Sequence, residues 1–321
     1  MTPLALSPLA IAAANEIPAA TLCVACSGGA DSVALLRLLA DDGNFCRRLA
    51  VLHFDHGARA LSSQRDRIFV ENLAVQLTIP FFFRRNVNGA MASEDSLRRS
   101  RMIFFREIME HLATPYLLTA HHSGDAVETL LMRLGRGSGL LGLTAPREVQ
   151  RFRDGTMHLR PLLHNSKKAL EEYLCSIGQQ WCEDESNRLG TYYRNRIRHE
   201  LLPLWRTMEL GRDIDRAIGS SLNLLREDCD ALECLGERLC QLAMEDGGLL
   251  LQPLRSEPPA IVRRALHIYF LGCGHCLRKQ LAKKVLSVIF AGSKIDVQIA
   301  RDAKCVSDGA VLRILSDDRK R

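Results

Sequence analysis

Apolar and polar residues alternate with two different periods in the first part of the chain. Four short apolar runs predict strands, at residues 21–26, 49–55, 81–85 and 116–121. Between these runs apolar residues recur every three or four positions, which predicts helices at residues 32–39, 62–77 and 94–111. Alternating strands and helices predict an α/β fold with a parallel sheet covered on both faces. Ligands bind such sheets at the carboxyl ends of the strands.

The pattern changes in character after about residue 205. Before that point residues 150–163 alternate around an Asp-Gly turn and predict a hairpin, and helical spacing marks residues 125–134, 167–177 and 193–205. Beyond it the segments are mostly helical, until a final alternating stretch around Ser-Asp-Gly predicts a terminal hairpin. We therefore expect an α/β domain over residues 1–207 and a smaller, mainly helical domain over residues 208–321.

Composition is that of an ordinary globular protein with a mild excess of positive charge. Of the 321 residues, 47% are hydrophobic and 25% are charged, and the formal net charge is +6. This charge permits a polyanionic partner such as RNA without requiring one. No apolar run approaches the roughly 18 residues that a membrane span needs, so we expect no membrane partner.

Cysteine usage and the first residues favour a cytoplasmic location. Eleven cysteines, an odd number, are scattered over both halves of the chain, which is more typical of reduced thiols than of a disulfide framework. The first basic residue is Arg37, so the opening stretch lacks the charged start of a secretion signal. We expect the protein to work in a reducing compartment.

A short polar loop follows the first predicted strand and carries the first candidate chemistry. It reads Ser27-Gly28-Gly29-Ala30-Asp31-Ser32 and leads directly into a helical pattern. Glycines let a backbone turn tightly against a phosphate, and the first amides of the helix complete an anion site. A carboxylate beside phosphate oxygens requires a cation between them, so Asp31 implies bound Mg²⁺. The alternative is a serine-capped glycine turn in which Asp31 only favours the helix dipole.

The loop resembles the pyrophosphate loop of the N-type ATP pyrophosphatases, the PP-loop enzymes, which cleave ATP to AMP and pyrophosphate. This resemblance implies a Rossmann-like fold of the adenine-nucleotide alpha-hydrolase type, with ATP and Mg²⁺ bound by residues 27–32. Kinase-type phosphate loops carry a lysine that is missing here. Its absence fits the resemblance, because the β- and γ-phosphates would leave together.

Three further stretches narrow the resemblance when they are taken with the loop. They are HFDHGAR at residues 53–59, HHSGDAVETLLMRLGRGSGLLG at residues 121–142 and DESNRLGTYYRNRIRHELLPLW at residues 184–205. In this order and spacing they resemble the bacterial tRNA(Ile)-lysidine synthase family. The resemblance implies that ATP activates the wobble cytidine of a CAU-anticodon tRNA(Ile) as an adenylated tRNA. Free L-lysine then joins C2 of that base, which changes the tRNA from methionine to isoleucine specificity.

The resemblance assigns lysine binding to Asp125 and Glu128. Three residues apart on a helix, the two carboxylates face one side and suit an ammonium group. Their other interpretation is a solvated, acid-rich first helical turn.

Other residues are assigned to nucleotide or RNA by the same resemblance. His53 and His56 lie at the carboxyl end of the second strand, where they contact the nucleotide or simply pack or cap. The basic and polar residues assigned to RNA or substrate contacts are Arg136, Arg194, Asn195 and Arg198, with a solvated charged face as the alternative.

The sequence departs from the family pattern at three positions. The family usually has an acid and a glutamine where Gly124 and Ala126 stand, and a tyrosine where Met102 stands. A PP-loop tRNA thiolase and a non-catalytic RNA-binding protein with a degenerate site therefore remain alternatives. Whether the protein forms a homodimer stays open.

Two cysteine motifs suggest further chemistry but lack the right context. Cys23 and Cys26 lie in a predicted strand and should point to opposite faces. Cys273 and Cys276 should form a connection between two helices, with a metal site as the less favoured interpretation.

Overall fold

A computed structural model of the chain describes residues 4–55, 57, 60–86, 94–183, 193–208 and 213–316. It divides into two compact units, Met1–Leu222 and Asn223–Arg321. The unit boundary falls inside a long helix whose first turns are buried with the first unit, at Ile214, Ile218 and Leu222. The domain boundary predicted after residue 207 stays a prediction. Among the described helices, none combines the length and the apolar character needed to cross a membrane.

The first unit is built on a six-stranded mixed sheet. Its strands are β1 (Leu22–Ala25), β2 (Leu49–Asp55), β3 (Phe81–Arg85), β4 (Tyr116–Leu118), β5 (Val149–Arg151) and β6 (Met157–Leu159). They lie in the order β3-β2-β1-β4-β6-β5, and all pairs are parallel except the β5–β6 hairpin. The four predicted strands, their parallel pairing and the predicted hairpin are confirmed.

Helices cover both faces of this sheet. The helices that lie in or begin in the first unit are α1 (Pro8–Ala14), α2 (Ala30–Ala40), α3 (Ala60–Gln76), α4 (Glu94–His111), α5 (Ser123–Gly135), α6 (Leu140–Leu143), α7 (Lys167–Ser176), α8 (Tyr193–Arg196), α9 (Leu202–Met208) and α10 (Ile214–Ala243), with a 3-10 turn at Cys46–Arg48. Successive residues of β1 enter different cores, because side chains alternate across a strand. Val24 packs with Leu36 of α2, and Cys23 packs with Phe104 of α4. Cys26 lies in the core opposite to that of Cys23, as expected.

The strand order reverses direction beside β1. The chain runs outward from β1 through β2 to β3 and then returns to place β4 on the other side of β1. The connections after β1 and β4 therefore leave the sheet in opposite directions and open a crevice at the carboxyl ends of these two strands. Such a topological switch point is the usual ligand site of an open α/β sheet.

A widened helical turn lies at the end of the first unit. Between α8 and α9 the residues Ile197–Leu201 form a π-helical turn, closed by a bond from the Leu202 amide to the Ile197 carbonyl. Pro203 follows, and its ring removes the next amide donor and crowds the carbonyl four residues back, which disfavours a regular α-helical register. Ile197 and Leu202 are buried against Ala126 and Val127 of α5.

The second unit packs helices against an antiparallel sheet. Besides the end of α10, it contains β7 (Met244–Glu245), β8 (Gly248–Leu250), α11 (Leu251–Arg255), α12 (Pro259–Gly272), α13 (Lys279–Ala291), β9 (Ile295–Ala300), β10 (Ala303–Ser307) and β11 (Val311–Ser316). The predicted terminal hairpin is the β10–β11 pair of a larger sheet, ordered β7-β8-β11-β10-β9. Cys273 and Cys276 connect α12 to α13 as expected. Among the described residues no His, Cys, Asp and Glu side chains form a metal-binding group of three or more.

We predict that Leu36→Ala lowers the free energy of unfolding by about 2–5 kcal/mol, because it leaves a cavity beneath the helix that carries the polar loop. Leu36 is 0% exposed. The matched control is Leu9→Ala on α1, where the side chain is 57% exposed and truncation should cost no more than about 0.5 kcal/mol. Urea unfolding followed by circular dichroism measures both; equal losses would contradict the assigned core.

Candidate active site

The polar loop at residues 27–32 turns sharply from β1 into α2. Gly28 has a φ of +97°, a conformation that side chains disfavour. A Cβ at this position would also lie 3.3 Å from Val70 Cγ2 and 3.4 Å from Cys182 Sγ. The amide of Cys182 donates to the Gly28 carbonyl at 2.9 Å, which ties the loop to the residues that follow α7. The positive φ therefore favours glycine here, and a side chain would in addition crowd Val70.

Ser32 organises this loop from the inside. The amides of Ser27 and Gly28 each donate to Ser32 Oγ at 3.2 Å, and Ser32 Oγ donates to the Gly29 carbonyl at 2.9 Å. The buried Ser32 hydroxyl thus holds the turn open at a fixed width. Gly29 is the N-cap of α2 and supplies no side-chain cap. The first amides of α2, beginning at Ala30, form the anion-favouring end of the helix.

His53 contacts the backbone directly before the loop. It is buried on β2, stacks on Phe83 and places Nδ1 2.8 Å from the Cys26 carbonyl, directly before the loop. Burial lowers the pKa of His53, so the ring is neutral near pH 7. In this position His53 fixes the end of β1. His56, predicted with it, lies outside the described residues.

Asp31 is the loop residue whose carboxylate is incompletely hydrogen-bonded. Its side chain is 33% exposed, yet Oδ1 is buried and makes no hydrogen bond to any described residue. Burial raises the pKa of the Asp31 carboxyl, and the nearby Asp125 adds to this effect. A hard divalent cation favours such an oxygen and would lower that pKa again. The chemistry of the Asp31 carboxylate therefore fits Mg²⁺.

His122 connects Asp31 to the next element. It is the buried N-cap of α5, where Nδ1 accepts the Gly124 amide at 3.0 Å while the Asp125 carboxylate accepts the His122 amide at 3.0 Å. Because Nδ1 accepts, the ring proton of the neutral form sits on Nε2. That atom lies 3.7 Å from both Asp31 Oδ2 and Asp125 Oδ2. The histidine ring thus lies between the two carboxylates, beyond hydrogen-bond distance of either.

The capping histidine also explains the departure at Gly124. A Cβ at Gly124 would approach His122 Cε1 to 2.7 Å, which no real contact tolerates. An acid at this position is incompatible with the ring where it stands. Ala126 is buried beside Val127, so a longer polar side chain there would have to enter the core.

Asp125 and Glu128 face one side of α5, and two arginines contact them there. Arg194 Nε lies 2.8 Å from Glu128 Oε2, and Arg194 Nη2 lies 2.9 Å from Asp125 Oδ1. Arg198 Nε and Nη2 lie 2.5 and 3.0 Å from the Glu128 oxygens, and Arg198 Nη2 lies 3.4 Å from Asp125 Oδ1. Glu128 is 3% exposed. We call these four residues the ion-pair quartet.

The quartet sets the charge state of the buried acids. Burial by itself raises the pKa of Asp125, but His122, His121 and Arg194 outweigh it, so the net pKa lies below its ordinary value. Burial lowers the pKa of Arg198, and the surrounding carboxylates raise it above its usual range. Asp125 is therefore held in its ionised form and Arg198 in its protonated form near pH 7, and the quartet pairs two acidic with two basic side chains.

Some of the predicted site residues lie close together in the structure, and others lie apart from them. The loop, Asp125, Glu128, Arg194 and Arg198 converge at the switch point between β1 and β4. Asn195 lies on the same short helix as Arg194 and is half-buried. Arg136 is exposed at the far end of α5, eleven residues and about 16 Å from Asp125. His122 was not predicted as a site residue, because histidine is not among the usual N-cap residues and only Asp125, three residues later, matches part of a capping box.

We predict that Glu128→Gln destabilises the protein by about 2 kcal/mol, because two guanidiniums lose a charged partner. This is less than the 3–5 kcal/mol for fully buried pairs, since Arg194 and Arg198 are 30% and 31% exposed. Glu200→Gln is the matched control: Glu200 pairs with Arg196 on the exposed face of the same segment, and its loss should cost at most about 0.5 kcal/mol. Urea unfolding compares them, and equal effects would refute a structural role for the quartet.

We predict that Asp31→Asn stabilises the ligand-free protein at neutral pH. A carboxyl with a raised pKa binds its proton more tightly in the folded state, so its ionisation destabilises the fold as pH rises above 3.8. The gain should be small near pH 4 and larger at pH 7.5. Thermal midpoints measured in EDTA test this. Asp41→Asn at the exposed end of α2, where Asp41 pairs with Arg37, should give no gain that grows with pH; a loss of stability in Asp31→Asn would contradict the assignment.

Comparison with known proteins places this site in a family. The PP-loop domain matches residues 8–205, which include the loop, α5 and the ion-pair quartet. A tRNA(Ile)-lysidine synthase of Geobacter sulfurreducens is 36% identical over 77% of this chain and 54% of its own length. The enzyme of the same name from a Synechococcus strain is 32% identical over 77% of this chain and 75% of its own length.

Coverage and fold similarity complete the comparison. The chain spans about half the length of several of these relatives, for example 40% of a tRNA(Ile)-lysidine synthase of Solibacter usitatus, with which it is 40% identical. Among solved structures, a U34-tRNA thiolase of Methanococcus maripaludis, described with its [4Fe-4S] cluster, aligns with a TM-score of 0.51 at 12% identity. The alignment covers 64% of this chain and 72% of the thiolase and supports the fold alone. By sequence, the chain belongs to the PP-loop domain family and, within it, to the tRNA(Ile)-lysidine synthases.

Proposed function

We propose that the protein joins lysine to C2 of the wobble cytidine in a CAU-anticodon tRNA(Ile), with ATP cleaved to AMP and pyrophosphate. One observation carries this proposal: a phosphate-type loop and an acidic pair suited to an ammonium lie together at the switch point, with His122 between them. A reaction that combines a triphosphate with an amine requires these two features side by side.

The loop is assigned to the pyrophosphate that leaves. The first amides of α2 donate to the β- and γ-phosphates, and the Gly28 turn lets the phosphates approach the backbone. Asp31 holds Mg²⁺, which neutralises charge on the departing pyrophosphate when it is bound. The amides of Ser27 and Gly28 donate to Ser32 Oγ and so fix the turn that leads into α2, and the first amides of α2 need little reorganisation when the nucleotide arrives.

The chemistry has two steps that balance. The cytidine O2 attacks the α-phosphorus of ATP, a P–O bond to pyrophosphate breaks and an O2–AMP bond forms. The uncharged ε-amine of lysine then attacks C2, the C2–O bond breaks and AMP departs with that oxygen. The amine loses a proton to solvent or to the departing phosphate. Activation is necessary because an oxygen bound to a pyrimidine ring is otherwise a poor leaving group.

Asp125 and Glu128 are assigned to the lysine ammonium. The low pKa of Asp125 makes it a partner for a cation and a weak base. Its role is therefore to bring the amine into the crevice next to the activated base, and deprotonation falls to another group.

The basic residues of the first unit are assigned to RNA. Arg194, Asn195, Arg198 and Arg136 lie on elements that border or extend from the crevice, and the chain carries a net charge of +6. Contacts between arginines and phosphates make binding salt-dependent. The eleven cysteines, all of them free thiols, support a reducing, cytoplasmic setting.

A thiolase of the same superfamily is less well supported by the cysteines near the loop. Such an enzyme needs a reactive thiolate or a cluster. Cys26 is buried and donates to Ser32 Oγ, and burial raises its pKa. Burial and the nearby Asp66 raise the pKa of Cys182 to about 12. Both thiols are poor nucleophiles near pH 7.

We predict that the purified protein incubated with ATP, Mg²⁺, labelled lysine and bulk bacterial tRNA transfers label to RNA and releases AMP. Asp31→Ala should reduce AMP formation about 100-fold or more, because it removes the cation ligand beside the phosphates. Asp41→Ala, at the exposed end of the same helix, serves as the control and should retain activity.

Three results of this assay would overturn the proposal in different ways. RNA turnover that requires a sulfur donor would identify a thiolase. RNA binding with intact ATP would identify a non-catalytic RNA-binding protein. Wild-type activity in Asp31→Ala would contradict the assignment of the cation to the loop.

A further inference from the structure

The ion-pair quartet brings together residues that the proposed function gives to two different substrates. Asp125 and Glu128 are assigned to an ammonium, and Arg194 and Arg198 to phosphates. In the ligand-free protein they bind one another through five contacts of 2.5–3.4 Å. Neither pair is therefore free for its substrate.

The arginines occupy the acids as a substrate cation would. Both guanidiniums reach both carboxylates, and each donates hydrogen bonds to oxygens that an ammonium also needs. With two positive and two negative charges, the quartet offers no net attraction to an incoming amine. A second cation placed there would meet the two guanidiniums at close range, and like charges in a partly buried site repel strongly.

The two sides of the quartet differ in exposure. Glu128 is almost completely buried and fixed on α5, whereas the arginine side chains remain about 30% exposed. An external polyanion can therefore reach the arginines, but not the glutamate. Phosphate oxygens are good partners for guanidinium groups and match their planar donor arrangement.

The backbone that carries the arginines is held by apolar contacts that do not involve the charges. Ile197 and Leu202 are buried against α5, and a Cβ at Gly135 would lie 2.7 Å from Tyr193 Oη, so the tyrosine packs closely on the end of α5. The side chains of Arg194 and Arg198 can thus turn from the carboxylates toward solvent while the helix stays docked. Long, partly exposed arginine side chains adopt such alternatives at modest cost.

We propose that Arg194 and Arg198 act as an internal ligand of the amine site, and that RNA phosphates release the acid pair by taking over these two guanidiniums. This inference rests on the proposed function and adds a binding order to it: RNA enters first and lysine second. In this order ATP and lysine do not assemble a complete site in the absence of RNA. By thermodynamic linkage, lysine also strengthens RNA binding by the same factor by which RNA strengthens lysine binding.

The test measures binding of labelled L-lysine by equilibrium dialysis in Mg²⁺ buffer without RNA. Wild-type protein should bind lysine weakly. The double variant Arg194→Gln/Arg198→Gln should bind it about tenfold more tightly or better, within the range typical of coupled sites. The matched control is Arg196→Gln, which lies on the same segment but pairs with the exposed Glu200 and should leave the affinity within about twofold.

Binding of a second ligand separates an effect of charge from an effect of space. L-norleucine has the lysine skeleton and its α-ammonium but lacks the ε-ammonium, so its binding should not improve in the double variant. An equal gain for norleucine would overturn the proposal, because it would indicate that the variants only open space. Unchanged or weaker lysine binding in the double variant would overturn it as well.

The wild-type protein provides an independent measurement that does not depend on the variants folding. Adding bulk tRNA should raise its affinity for lysine about tenfold. An affinity that tRNA leaves unchanged would overturn the proposal. If the double variant is unfolded by circular dichroism, each single variant should show a smaller gain, and no gain in either would also overturn it.

Failure of this inference is distinguishable from failure of the proposed function. Transfer of lysine to RNA by the wild type, with no gain in free lysine binding in the variants, would remove the binding order and leave the function standing. Absence of transfer, with improved and ammonium-dependent binding in the variants, would leave the internal ligand standing and remove the function.

Discussion

Two carboxylates cannot be buried side by side on one helix unless positive charge accompanies them, and this constraint organises the candidate site. Asp125 and Glu128 obtain that charge from Arg194 and Arg198, which come from a segment about seventy residues later in the chain. The segment is docked on α5 by the apolar contacts of Ile197 and Leu202, and this docking brings the two arginines to the acids at the switch point of the sheet. In the proposed function, binding of the amine and of the RNA depends on whether these arginines contact the two carboxylates or the RNA phosphates.

The same electrostatic logic links α5 to the phosphate loop. Asp31 leaves one buried oxygen unsatisfied, and His122 stands between it and Asp125. A cation bound at the loop would therefore change the electrostatic potential at His122 and, through it, at Asp125 and Glu128. The described charges form one network that runs from Asp31 through His122 to the ion-pair quartet, and the proposed function assigns a metal ion, a polyanion and an amine to it. Its ligand-free state is stable because the protein fills part of this network with its own arginines.

Buried thiols and histidines near the loop serve the framework. His53 holds the Cys26 carbonyl, Cys26 contacts Ser32, and the Cys182 amide binds the Gly28 carbonyl. These contacts fix the loop from three sides without presenting a reactive thiolate. Fixed placement of backbone donors suits the proposed electrostatic stabilisation of a leaving pyrophosphate.

The sequence by itself determined the alternating α/β architecture, the four parallel strands and the loop at residues 27–32, because each depends on a local period or on glycine conformation. It also identified Asp125, Glu128, Arg194 and Arg198 as charged residues of interest. Only the tertiary structure decided that these four meet one another and that His122 lies between Asp31 and Asp125. Pairing between residues distant in the chain depends on how helices dock, and hydrophobic spacing carries no information about which charges face each other. For the same reason the sheet of the second unit, which brings β8 beside β11 across sixty residues, was predicted only as a terminal hairpin.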